Sequence, residues 1–225
     1  MSESVTLGVA AAYDAWAASY DGYDNPMVFA AGHVLSQASL PLSQKTCLEF
    51  GCGTGRNLAA VAACGASSLI GFDLSAAMLA EARKRDASWT LFQADMSAPI
   101  PLPDQSADFI LFSLTLEHVA DLEQPLREAR RLLRADGTIK IIEIHPFVSL
   151  QGISAHFKTA EGTEITMPAF AHPFQDWLSA FDRIGLRVDG LKEWQARDIG
   201  PEAPAKILRR GPDWPWVVDW TLSPV

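Results

Sequence analysis

Between residues 46 and 145, short apolar runs of strand length alternate with stretches of helical period. This is the signature of βαβ units whose parallel strands are covered on both faces. The pattern predicts a first strand at 46–50, a glycine-rich turn, and a helix over 56–64 that Gly65 ends as a C′ residue. A second strand at 68–73 leads to Ser75, the N-cap of a helix running to Arg85 in which Glu81 and Arg85 form an i, i+4 pair. A third strand is expected at 89–94, and a loop built on Pro99, Pro101 and Pro103 leads to a fourth at 108–113. Pro125 suits the first turn of the next helix. The cluster Arg130, Arg131 and Arg134 reads as a solvated end of that helix, complementing its dipole, and a fifth strand spans 138–145.

The rhythm then breaks. Residues 146–173 show no clear period, only scattered aromatic and small residues, which predicts an insertion lying over the sheet edge as a substrate cap. A helix over 174–184 closed by Gly185, a strand at 186–194 and a last strand at 216–222 follow, with Pro201, Pro204, Gly211 and Pro212 between the last two. A chain of 225 residues with 48% hydrophobic and 20% charged residues suits one domain, residues 1–225, around a full-sized core.

Charge and cysteines narrow the setting. A net charge of -9 and a sequence pI of about 5.0 repel a phosphate backbone, so nucleic acid is not expected as a partner. Cys47, Cys52 and Cys64 form no CxxC pair and are odd in number, which suits a reducing cytoplasm. Glu3 and Asp14 argue against a secretory leader, and charges such as Asp73 and Glu143 interrupt every run that could approach the ~20 apolar residues of a membrane span. The expectation is a soluble, cytoplasmic protein, monomer or homodimer, with no membrane partner.

The chemistry centres on Leu48-Glu49-Phe50-Gly51-Cys52-Gly53-Thr54-Gly55-Arg56-Asn57. Glycines at a strand end let the turn tighten and a ligand approach bare backbone, while the next helix offers free N–H groups. Arg56 stands where the dinucleotide fingerprint G-x-G-x-x-G needs its third glycine, which disfavours a nicotinamide cofactor. Asp73 ends the second strand about 20 residues on, where a carboxylate accepts hydrogen bonds from ribose hydroxyls. Together these imply a nucleoside; capping the next helix is the alternative role for Asp73.

Residues 10–145 resemble the class I S-adenosylmethionine (SAM)-dependent methyltransferases, particularly the small-molecule branch that includes ubiquinone-biosynthesis and malonyl-carrier-protein methyltransferases. The resemblance rests on Glu49-Phe50-Gly51-Cys52-Gly53-Thr54-Gly55, on Asp73, on Gln93-Ala94-Asp95-Met96, on the run from Pro101 to Ile110, and on Leu133-Arg134-Ala135-Asp136-Gly137-Thr138. It implies a Rossmann-like α/β fold: a parallel seven-stranded sheet with helices on both faces and an antiparallel last strand. It further implies that Glu49 holds the SAM amino group beside the backbone of Gly51 and Gly53, that Asp73 takes the ribose, and that Asp95 and Met96 take the adenine. Cys52, Leu74, Met78 and Ser113 join them as cofactor contacts. Tyr13-Asp14-x-Trp16-x-x-Ser19-Tyr20-Asp21 is similar to a lid helix of that branch, making residues 1–40 a lid with Tyr20 near the sulfonium. Aromatic faces suit a cationic sulfonium, although the same spacing also fits one apolar helix face. The implied cofactor is SAM, with S-adenosylhomocysteine (SAH) as product.

Methyl transfer needs alignment first and a base only where the acceptor must lose a proton. His145, at the carboxyl end of the fifth strand, leads the candidates and is paired with His172 as a catalytic residue; His118 and His156 follow. No ligand spacing for a metal is present. Phe147, His156, Phe157, Phe170 and His172 of the cap are expected to line an apolar or aromatic acceptor pocket, where Lys158 and Lys206 suit an acidic acceptor. Cys52 fits the turn by its small size, and Cys47 and Cys64 are expected in the core. Trp214, Trp216 and Trp220 are expected to pack in the chain's own sheet. Two other readings remain: a SAM-binding protein without catalysis, acting as a partner or regulator, and an NAD(P)-dependent oxidoreductase.

Overall fold

The computed structural model describes residues 4–225; residues 1–3, with the acidic Glu3, lie outside them. The elements in chain order are β1 (Ser4–Thr6), α1 (Val9–Trp16), α2 (Pro26–Gln37), β2 (Thr46–Phe50), α3 (Arg56–Ala63), β3 (Ser68–Asp73), α4 (Ala76–Arg85), β4 (Thr90–Gln93), β5 (Ala107–Ser113), α5 (Glu123–Leu132), β6 (Leu133–Ile144), α6 (Pro146–Ser149), β7 (His156–Lys158), β8 (Glu164–Thr166), α7 (Phe174–Arg183), β9 (Leu186–Gln195), α8 (Ala196–Ile199), α9 (Ala205–Leu208) and β10 (Pro215–Pro224). A 3₁₀ helix continues α1 over Ala17–Gly22, and another spans Leu116–His118.

Seven strands form the main sheet in the order β4-β3-β2-β5-β6-β10-β9. The pairs among β2 to β6 are parallel, and β10 runs antiparallel to both β6 and β9. From β2 the chain winds outward to β3 and β4, then crosses back to β5 on the other flank. The carboxyl ends of β2 and β5 therefore border the crevice at which open α/β sheets bind ligands.

Alternation along each strand sends side chains to opposite faces. Phe109 and Leu111 of β5 join a core with α2 and α3, built on Val34, Leu58 and Val61. Ile110 and Phe112 face the opposite core, with Leu126 and Leu132 of α5 and Trp177 and Phe181 of α7. Trp216 and Trp220 of β10 are buried in the chain's own sheet, as expected, whereas Trp214 precedes β10 and is half-buried against Phe147.

Several local expectations change. Glu81 pairs with Lys84, not Arg85; the Arg85 guanidinium reaches Asp21 instead, a partner made available by the long-range approach of the N-terminal segment. Arg131 is not a solvated helix end: it bonds Glu128, Asp104 and the carbonyls of Ile100 and Leu102, clamping the proline loop. Arg134 starts β6 and pairs with Asp108. β6 begins at Leu133, ahead of the expected 138, and residues 134–137 form an irregularity of its pairing with β5. Cys64 is exposed at the end of α3, while Cys47 and Cys52 are buried.

The insertion and the N-terminus meet in a second, three-stranded sheet, β1-β8-β7. β1 pairs in parallel with β8, and β7 returns antiparallel to β8. Under it lies a small third core of Ala12, Trp16, Met78, Phe157, Ile165 and Met167. Among the described residues no helix is long and apolar enough to cross a membrane.

Candidate functional site

The turn after β2 is shaped by positive backbone angles. Gly51 lies at φ +68, and a Cβ there would come within 2.4 Å of Thr115 Oγ1, so the position demands glycine for both conformation and space. Gly53, at φ +52, has nothing within 4 Å of where its Cβ would stand: its open side faces the cleft. Opposite, at the end of β3, the Asp73 carboxylate accepts 2.8 Å hydrogen bonds from the Gly53 N–H through Oδ2 and from the Ser75 N–H through Oδ1. Burial pushes the Asp73 carboxyl above its ordinary value, against the backbone donors that lower it. Asp73 thus combines the two roles open to it in sequence, holding the helix start while also lining the cleft. Ser75 caps α4 through its hydroxyl, which accepts from the Met78 N–H at 3.1 Å.

Glu49, 1% exposed, sits beneath the turn. Its Oε1 accepts from Asn57 Nδ2 at 2.8 Å, whereas its Oε2 is buried without a hydrogen-bond partner. An orphaned buried carboxylate oxygen is costly unless a donor reaches it. Burial pushes Glu49 up to about 8, with Asn57 pulling the other way.

The cleft, about 190 Å³, is lined by nine of the eleven residues singled out in sequence: Tyr20, Gly51, Gly53, Asp73, Leu74, Met78, Asp95, Met96 and Ser113. Glu49 and Cys52 stand outside the lining: Glu49 lies one layer deeper, and Cys52 packs under the turn against Gly71. Asp95 accepts from the Ser97 N–H at 2.8 Å, and the Thr115 hydroxyl contacts Met96 Sδ at 3.7 Å. Val9, Ala10, Tyr13, Thr115 and His118 complete much of the wall. Thr115 carried no polarity pattern that marked it, and Leu114, at φ 55, occupies a left-handed conformation that leucine does not advertise.

The N-terminal segment closes over this cleft by polar ties. Asp14 accepts from Ser75 Oγ at 2.5 Å and from the Ala77 N–H at 3.1 Å. Asp21 accepts from Thr54 Oγ1 at 2.9 Å and pairs with Arg85. Between the ties, Tyr13, Trp16 and Tyr20 form one aromatic cluster, with Trp16 stacked on Phe157 of β7. Tyr13 and Tyr20 line the cleft while Trp16 is buried, so the cluster is both a core face and a wall.

A larger cavity, about 440 Å³, adjoins the cleft and shares Tyr13, Tyr20 and Leu114 with it. Its walls include Trp16, Tyr23, Glu117, Ile153 and Trp216, and Lys206, Arg209 and Arg210 stand at its lining. Of the cap residues expected here, His156 lines the cavity; Phe157 backs it through Trp16. Phe147 packs on Trp214 and Phe170 is exposed, so neither lines it, and Lys158 does not reach it.

The histidines separate. His145 is buried outside both cavities, where Nε2 meets Glu193 Oε1 at 2.7 Å and Nδ1 accepts from the Phe147 N–H that begins α6. His172 is also buried away from them, bonded through Nε2 to the Val119 carbonyl. His118 does enter the cleft: Nδ1 donates to the Pro168 carbonyl at 2.9 Å, which leaves Nε2 to accept from the Tyr13 hydroxyl at 2.8 Å.

The geometry fits a SAM-type nucleoside in its open Gly53 cradle, its terminal Asp73 and its orphaned Glu49 oxygen. Comparison with known proteins agrees. Residues 48–141 match the family model described as a methyltransferase domain. A Mycobacterium tuberculosis protein named a probable S-adenosylmethionine-dependent methyltransferase is 29% identical over 174 residues, 75% of this chain and 62% of the relative. A Yersinia pestis malonyl-[acyl-carrier protein] O-methyltransferase is 34% identical over 131 residues, 58% of this chain and 48% of its own length. The chain thus spans about three-fifths or less of the length of these two relatives. The crystal structure of a SAM-dependent methyltransferase from Mesorhizobium loti superposes with a TM-score of 0.69 at 23% identity, over 84% of this chain and 95% of the other, and shows the shared fold. Residues 48–141 therefore match a methyltransferase domain, and the chain is similar to class I SAM-dependent methyltransferases.

Proposed function

We propose that this protein transfers the SAM methyl group to a small-molecule acceptor held in the larger cavity. The observation that carries the reading is the junction: two cavities, one fitting the nucleoside and one walled by aromatic side chains, meet at Tyr13, Tyr20 and Leu114. In this reading Asp73 takes the ribose, Asp95 and Met96 the adenine, and Glu49, with Oε2 free, the amino group. Bound SAM supplies an electrophilic methyl on a sulfonium. The chain supplies alignment, aromatic faces beside the positive charge, and a lid that excludes water. Of the expected lid over 1–40, residues 9–22 act as that lid, while α2 packs into the main core; residues 146–173 act as the acceptor cap.

The test is calorimetric titration with SAM, SAH and NADH in parallel, followed by an acceptor screen read by SAH formation. Micromolar binding of both sulfur nucleosides, none of NADH, and turnover with a member of the screen is expected. NADH binding alone would replace this reading with an oxidoreductase. SAM binding that never yields SAH, across apolar, aromatic and acidic acceptors, would favour the SAM-binding partner protein.

A further inference from the structure

Glu117 is a carboxylate placed where the acceptor cavity meets the cofactor cleft. It sits in the 3₁₀ turn after β5, is 7% exposed, and lines the larger cavity beside the shared residues Tyr13, Tyr20 and Leu114. Its Oε2 accepts from the Ala155 N–H at 3.3 Å and its Oε1 is 3.9 Å from His118 Nε2, which leaves acceptor capacity facing the cavity. His118 is already closed as a base, because the Pro168 carbonyl fixes its Nδ1–H and the Tyr13 hydroxyl fills Nε2. The other polar neighbours are Glu143 of β6, Tyr13, Tyr20 and His156. Glu143 Oε1 is spent on the N–H groups of Thr115 and Leu116.

Resting on the reading above, we propose that Glu117 takes the proton of the acceptor's nucleophile, and that this nucleophile is a phenol or enol hydroxyl. The hydroxyl oxygen attacks the methyl carbon in line with sulfur. As the C–O bond forms and the S–CH₃ bond breaks, the hydroxyl proton passes to the Glu117 carboxylate and later to water. The sulfonium charge is cancelled in neutral SAH, so one proton is released per methyl transferred. Burial pushes Glu117 up to about 7, with the Ala155 N–H and His156 opposing, which keeps it partly ionised at neutral pH and basic enough to receive a proton. A phenol near pKa ~10 is still a weaker acid by about three units, so transfer is concerted with methylation.

The class of acceptor follows from the other groups at the cavity. Trp16, Tyr23 and Trp216 line it, and aromatic walls suit a planar ligand. Lys206 is paired with Asp24 of the same wall, but Arg209, Arg210 and the sulfonium site disfavour a cationic amine, while a carboxylic acid is already ionised and needs no base.

The test uses 2,4-dinitrophenol as probe, a phenolate throughout the pH range used, on the full chain saturated with SAH, with Glu117→Gln as the variant. From about pH 7 to about pH 9, dinitrophenol affinity should fall close to tenfold per pH unit in the wild type, because probe and Glu117 share one proton. In Glu117→Gln the fall should be much shallower, with SAH affinity unchanged and Tm no lower than that of the wild type. Identical pH slopes, or SAH binding with no dinitrophenol binding at any pH, overturn the proposal. Should Glu117→Gln lose SAH binding, Glu117→Asp serves: it retains the charge and must retain the slope. Absence of SAH binding by the wild type would instead remove the methyltransferase reading itself.

Discussion

At the scale of single residues, the turn after β2 couples backbone shape to ligand space. Asp73 is held by the Gly53 and Ser75 N–H groups and also lines the cleft. Asp73→Ala should therefore weaken SAM binding by about 1.5–3 kcal/mol and also lower Tm, since two backbone donors lose their acceptor; titration calorimetry showing unchanged affinity would remove the nucleoside from this position. Gly51→Ala should lower Tm by an amount equivalent to about 1–3 kcal/mol, because its Cβ meets Thr115 Oγ1 at 2.4 Å and its φ is +68. Thr115→Ala in that background should restore part of the loss but not the share due to φ. A double mutant as unstable as Gly51→Ala alone would show the clash to be irrelevant. The glycine turn and Asp73 were legible in sequence because they satisfy local rules of turn and strand end. Glu117 and Thr115 were legible only as members of the run 113–118 that the resemblance puts beside the methionine end of the cofactor, because their individual roles come from neighbours far along the chain.

At the scale of elements, the main-sheet strands apart from β6, and the helices α3, α4 and α7, were legible to within one or two residues, since alternation and helical period are local signals; β6 starts at Leu133, five residues before the expected strand, and β7 and β8 of the insertion carried no period. The N-terminal strand β1 and its pairing with β8 were not legible either, because a three-residue strand has no period and its register, Ser4 with Glu164, joins distant segments. The same limit hid the partner of Arg85: the local i, i+4 rule pointed to Glu81, and tertiary approach delivered Asp21. These long-range ties hold the segment Val9–Gly22 over the cleft. Asp14→Ala combined with Asp21→Ala should raise amide hydrogen exchange in residues 9–22 at least several-fold and weaken SAM binding by about 1 kcal/mol, with exchange in β2 and β5 unaffected. Unaltered exchange in residues 9–22 would mean that the aromatic cluster of Tyr13, Trp16, Tyr20 and Phe157 holds the segment without help from the carboxylates.

At the scale of the whole molecule, buried carboxyls give stability and ligand binding opposite responses to pH. Burial pushes Glu49 and Glu143 up to about 8 and Glu117 up to about 7, from an ordinary value of 4.5. Between those limits the native state binds more protons than the unfolded chain, so stability is greatest below about 4.5 for these groups and declines as pH rises through 7–8. Asp108 and Glu128 oppose this on the acid side. Burial raises Asp108, but the Thr46 N–H, Arg134 and Lys45 together bring it below its ordinary value; Arg131 does the same for Glu128. Their contributions are present above the ordinary carboxyl range and are lost as pH falls through it. The ligand-free protein should therefore be most stable near about pH 5 and lose Tm steadily toward about pH 8, and Glu49→Gln with Glu143→Gln should flatten that limb. Binding reverses the sign. A ligand ammonium at the free Glu49 oxygen favours the ionised carboxylate, so SAM binding at neutral pH must expel the Glu49 proton, and affinity should rise between about pH 6 and about pH 8. The increase in Tm given by saturating SAM should thus be larger at the higher pH, where the free protein is weaker. Equal increases at both, with the same result in Glu49→Gln, would show that Glu49 does not meet the ammonium and that its unpartnered oxygen serves another donor.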